Sequence, residues 1–182
     1  RTPDDTKVTD MLYSCYGQAI LGKIGKRFEE LLEAIKERYN SIIRGLDLEL
    51  SLDEEFKTIR TNFSKKIGRD YAASRGEYLN GIIMAAYLGY EFIDAAEVIV
   101  FDENGNFDGD KRMDPVCKTG EYGTCSHSGD SNGAKPDGSI QTFSRGGSDI
   151  TGSIVAKAVH ADMYENWTDV SGFLIADPRI IK

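Results

Sequence analysis

The apolar positions of the first ninety residues recur every three or four places. Between Thr6 and Ile24, the residues Val8, Met11, Leu12, Cys15 and Ile20 fall at helical spacing, and Gly25 breaks the run. Phe28, Leu31, Leu32, Ile35, Tyr39, Ile42 and Ile43 mark one face of a second helix, with Glu29, Glu30, Lys36 and Glu37 on the other, and Gly45 ends it. Ser51 with Glu54 predicts a capping box at the start of a third helix, whose apolar positions are Leu52, Phe56, Ile59, Phe63 and Ile67. Ser74 with Glu77 repeats the box ahead of Leu79, Ile82, Ile83 and Tyr87.

The period then changes. Glu97 to Phe101 is short and rich in β-branched residues, which predicts a buried strand, and Asn104-Gly105 supplies a turn. Residues 108–138 hold no apolar run and predict a flexible loop. Ile140 to Phe143 reads as a strand, Ile150 to Val159 as a helix, and Tyr164 to Asp169 and Phe173 to Ala176 as strand and turn pieces. Helices first and mixed elements later predict an α/β layered domain, incomplete as it stands.

Composition narrows the class. The chain has 182 residues, the length of one domain or a large part of a bigger one. With 22 Lys+Arg against 30 Asp+Glu its formal charge is −8, which argues against a nucleic-acid partner. Hydrophobic residues are 40% and charged residues 29%, a globular balance, and no apolar run is long enough to span a membrane. Three cysteines, Cys15, Cys117 and Cys125, make no secreted disulfide framework, so a reducing, cytoplasmic setting is expected. Cys117, Cys125 and His127 are too few and too widely spaced for a zinc site. The acidic run Asp102 to Asp110 lacks the twelfth-position Glu of a calcium loop and reads as a solvated turn.

Chemistry concentrates where a strand meets a helix, at Ser144-Arg145-Gly146-Gly147-Ser148-Asp149. Glycines there let backbone approach a ligand, the helix start offers unpaired N–H donors, and Arg145 offers a fork for carboxylate or phosphate. The same residues also suit a plain tight turn followed by an N-cap, and spacing alone leaves both readings open. Ser74-Arg75-Gly76-Glu77 is equally a helix cap, and Trp167-Thr168-Asp169-Val170 through Asp177-Pro178-Arg179 equally a strand and turn.

Taken together, these segments and Asp4-Asp5-Thr6-Lys7-Val8-Thr9-Asp10 resemble the aspartokinases of the amino acid kinase family, over roughly residues 1–107 and 134–182. The resemblance implies a three-layer α/β/α sandwich and the transfer of the ATP γ-phosphoryl group, with Mg²⁺, to the β-carboxylate of L-aspartate. That reaction is the first step toward lysine, threonine and methionine. It further implies that Arg145 grips a substrate carboxylate, that Glu77 and Asp149 face the ammonium, and that Thr9 and Ser148 add hydroxyl contacts. Arg145 and Asp149 would be the catalytic pair, and Thr168, Asp169, Leu174 and Arg179 would line the nucleotide pocket. Leu174 stands where many members carry a Tyr. A homodimer is implied for the full-length protein.

The pattern departs from the family in places. The family's Lys-Phe-Gly-Gly strand, with its phosphate-contacting Lys, has no match in the chain, nor do the regulatory ACT domains. Residues 111–133 diverge from the family's apolar strand. The expectation is therefore a partial catalytic domain over residues 1–182 with little kinase activity by itself. The rivals are another amino acid kinase, acting on a glutamate derivative or a carbamate, and a non-catalytic remnant that binds aspartate.

Overall fold

A computed structural model describes residues 6–109, 125–127, 132–143 and 147–165. The N-terminal half is helical: α1 (Val8–Ile20), α2 (Lys26–Gly45), α3 (Asp53–Ser64) and α4 (Arg69–Leu88). Their apolar stripes close on one core. Leu12, Cys15, Phe28, Ile35, Ile59, Phe63, Leu79 and Ile83 are all essentially without solvent contact. Burying Phe28 and Phe63 alone contributes about 2–3 kcal/mol each. Phe63 sits between Tyr16 and Tyr71, with ring centroids 5.2 and 6.3 Å away in edge-on geometry.

Two helix starts differ from the sequence expectation. Ser51 stands one residue outside the N-cap of α3, which is Leu52; the Ser51 hydroxyl accepts from the Asp53 amide at 3.3 Å. Glu54 turns to Lys57 instead of back to the cap. Ser74 is not a cap at all. Tyr71 and Ala72 are buried and extend the apolar stripe upstream, so α4 begins at Arg69 and Ser74 lies inside it. There the Ser74 hydroxyl donates to the Tyr71 carbonyl of the preceding turn at 3.0 Å. Gly89, at φ 69°, provides the left-handed residue that stops α4.

After α4 come β1 (Glu91–Ile93), α5 (Ala95–Val98), β2 (Cys125–His127), β3 (Asn132–Ala134), β4 (Ile140–Thr142) and α6 (Gly147–Ala158). The strand expected over 97–101 is instead the end of α5 followed by two isolated bridges, Val100 to Ala134 and Phe101 to Phe107. The reason is local: the Asp94 carboxylate accepts from the Ala96 amide at 2.9 Å and starts a helical turn that consumes Glu97 and Val98. Strands β1, β2 and β3 had no counterpart in the sequence reading, and β2 and β3 fall inside the span expected to be loop. The acidic run is the expected turn, with the Asp102 carboxylate accepting from the Asn106 amide at 2.8 Å and Gly105 at φ 83°.

Strand β1 runs parallel to β2, pairing Phe92 with Ser126, and β3 runs antiparallel to β4, pairing Gly133 with Gln141. Successive strand residues point to opposite faces. Phe92 meets Tyr78 of α4, with centroids 5.4 Å apart, while Ile93 joins a second core with Ile99, Phe101 and Ala158, against which Ile154 and Val155 of α6 pack. Helix α4 therefore covers one side of β1 and α6 the other, which is α/β/α layering. No described helix is long and apolar enough to cross a membrane.

Candidate active site

Helix α2 packs beside α1 and α4, and a cavity of about 270 Å³ opens where the three meet. Its polar walls are Thr9 from the first turn of α1, Arg38 and Tyr39 from α2, and Glu77 and Asn80 from α4; Val8, Ile42 and Gly76 complete it. The volume falls just under the range that holds drug-sized ligands, roughly 300–1,000 Å³, and suits a small metabolite. One carboxylate and one guanidinium in the same hollow match a zwitterion, and the Thr9 hydroxyl and Asn80 amide offer neutral donors and acceptors.

Local chemistry fixes the walls. Tyr39 is 4% exposed, its ring lies 6.4 Å from that of Phe56, and its hydroxyl donates to the Gly76 carbonyl at 2.6 Å. Arg38 Nη1 donates to the Thr6 carbonyl at 2.7 Å, just ahead of α1. Glu77 is exposed, on a face that the neighbouring helices leave open.

Arg75 does not share this cavity. Two residues along a helix are about 200° apart, so Arg75 points nearly opposite to Glu77. Its guanidinium is buried between the Tyr71 and Tyr78 rings, 4.6 and 4.2 Å from their centroids, and donates to the Ser74 hydroxyl at 2.9 Å. Burial raises the pKa of both tyrosines, with Arg75 acting in the opposite direction.

Of the residues singled out in the sequence, the structure brings Thr9 and Glu77 into one cavity. Asp149 is exposed in the first turn of α6, where a carboxylate complements the helix dipole, and it is not among the described residues lining that cavity. The backbone of Ser148 lies in the same turn. The Ser148 side chain and Arg145, Thr168, Asp169, Leu174 and Arg179 lie outside the described residues. Arg38, Tyr39 and Asn80 escaped the sequence reading. Asn80 follows Glu77 by three places and so shares its helix face, a signal that was available. Arg38 carried none, because a cation on the polar side of an amphipathic helix reads as a solvated one. Larger hollows exist among the described residues, one of about 620 Å³ beside Ala96, Val100 and Lys135, and neither Thr9 nor Glu77 lines it. Chemical complementarity favours the smaller one.

Comparison with known proteins identifies the family. The model of the amino acid kinase family matches residues 19–182. Aspartokinase 3 of Bacillus subtilis is 33% identical over 197 aligned positions, covering 98% of this chain and 42% of that protein. The crystal structure of Clostridium acetobutylicum aspartate kinase superimposes with a TM-score of 0.85 at 45% identity, over 100% of this chain and 41% of that one. Escherichia coli aspartokinase III, solved in complex with aspartate and ADP, shares the fold at 20% identity, with a TM-score of 0.65 over 97% of this chain and 43% of that one. The chain thus spans about two fifths of the length of these relatives. The family match over residues 19–182, together with β1 held between α4 and α6, makes the chain a member of the amino acid kinase family.

Proposed function

We propose that the chain carries the aspartate-binding part of an aspartokinase and serves the ATP-dependent conversion of L-aspartate to 4-phospho-L-aspartate in the cytoplasm. The observation that carries this reading is the meeting of Thr9 and Glu77, far apart in sequence, in one small cavity that also holds a guanidinium. The names of the relatives supply the substrate.

On this reading Glu77 takes the ammonium of aspartate in a charge-assisted bond and the Thr9 hydroxyl steadies the ligand beside it. Arg145 grips a carboxylate with two parallel N–H bonds, and Ser148 and Asp149 complete the site at the start of α6. Thr168, Asp169, Leu174 and Arg179 line the nucleotide side. A β-carboxylate oxygen attacks the γ-phosphorus, the bond to the β–γ bridging oxygen breaks, and ADP leaves with the electron pair. Such transfer asks the protein chiefly for alignment and for positive charge at the phosphates. Mg²⁺ enters as the ion that accompanies ATP and neutralises phosphate charge when bound.

Calorimetric titration tests the reading. L-Aspartate is expected to bind and L-glutamate not to, with slow aspartate-dependent ADP release from the chain alone. Equal binding of both amino acids, or of neither, would overturn it.

A further inference from the structure

We propose that Arg38 and Tyr39, adjacent on α2, are positioning residues that hold the two walls of the amino-acid pocket in register; the inference rests on the aspartate reading above. Consecutive helix residues project about 100° apart, so one short stretch of α2 reaches two different elements. Arg38 Nη1 fixes the Thr6 carbonyl at 2.7 Å, at the entry to the turn that presents Thr9. The Tyr39 hydroxyl fixes the Gly76 carbonyl at 2.6 Å, on the residue next to Glu77. The two bonds join the hydroxyl side of the pocket to the carboxylate side through a single rigid element.

Both bonds fall on carbonyls whose satisfaction does not depend on them. The Gly76 carbonyl sits inside α4, where the amide four residues on is its ordinary partner, and the Tyr39 bond uses the remaining lone pair. The Thr6 carbonyl belongs to an exposed residue that water could serve. A buried phenol needs some acceptor, which gives Tyr39 a structural role as well. The guanidinium of Arg38, only partly buried, has no such need.

The test measures L-aspartate and succinate affinities of the full 182-residue chain and of R38A, R38K and Y39F, with each variant's unfolding midpoint determined alongside. Succinate lacks the ammonium, so the ratio of the two affinities reads the alignment of Glu77 specifically. R38A and Y39F are expected to lose about tenfold in aspartate affinity and to lower that ratio, with R38K intermediate because it keeps a donor. Wild-type affinity and ratio in R38A and Y39F would overturn the inference alone. Loss of stability and affinity with the ratio unchanged would also overturn it, since a structural role predicts that outcome. No aspartate binding by the parent chain would overturn the inference together with the functional reading beneath it.

Discussion

The Thr142 amide donates to the Asp70 carboxylate across 3.2 Å, tying the strand β4 to the first turn of α4. Asp70 and Glu77 are seven residues apart, two helical turns on one stripe, so they lie about 10 Å apart along the axis. In chain order α6 is the next element after β4. The bond therefore fixes the end of β4 relative to the helix that carries Glu77. Replacing Asp70 with Ala should lower unfolding free energy by about 1–2 kcal/mol, because a charge-assisted acceptor and a favourable first-turn carboxylate are lost together. Asp70→Asn should cost roughly half as much. Urea unfolding of the two variants checks the order; equal stability of all three chains would show the tether to be idle.

Arg75 gives a prediction of the opposite kind. Its cation is stacked between two rings and turned away from the pocket. Arg75→Ala should destabilise the fold by about 2 kcal/mol through lost ring contacts and packing. Aspartate affinity at a temperature where the variant is folded should stay within about twofold of the parent, since no pocket contact is removed. A large affinity loss without a stability loss would place Arg75 in the site after all.

Alkaline pH should weaken the fold. Burial first, and the Glu29 charge second, push the Cys15 thiol up to about 12. Burial likewise raises Tyr71 and Tyr78. In all three the neutral form is the one the folded state accommodates. Their contribution is complete below the pKa of the unfolded groups, about 8.5 for a thiol and about 10 for a phenol, and is lost as pH rises toward the folded values. The urea midpoint should hold steady between pH 7 and about 8 and fall between about 9 and 12. Cys15→Ala should make the first part of that fall shallower. At pH 8 Cys15 in the folded chain should resist thiol reagents, because it is fully buried and protonated. Rapid labelling of Cys15 without unfolding would contradict this.

The helical half was legible because its information is periodic. Phe28, Leu32, Ile35, Tyr39 and Ile43 lie on one stripe, and all five are buried. The strands were hard to read because each described one is three residues long, too short for alternation to register. Gly133 shows what replaced pattern there. A Cβ on it would press into the Ile99 carbonyl and come within 2.9 Å of the Phe101 ring, so β3 is set by close backbone approach and leaves no apolar signal. The Ser74 cap failed because local capping rules compete with the stripe, and buried Tyr71 and Ala72 carried the helix past it. Within the site, residue types and family motifs led to Thr9 and Glu77, whereas Arg38 and Tyr39 follow only from how α2 packs beside α1 and α4.

The central claim is that Glu77 meets an ammonium in the pocket it shares with Thr9. A four-way titration tests it most directly, with L-aspartate and succinate against the parent chain and Glu77→Gln. The parent should prefer aspartate by at least about tenfold, the scale of one charge-assisted bond, and the variant should show almost no preference. An equal preference for aspartate in both chains would contradict the account.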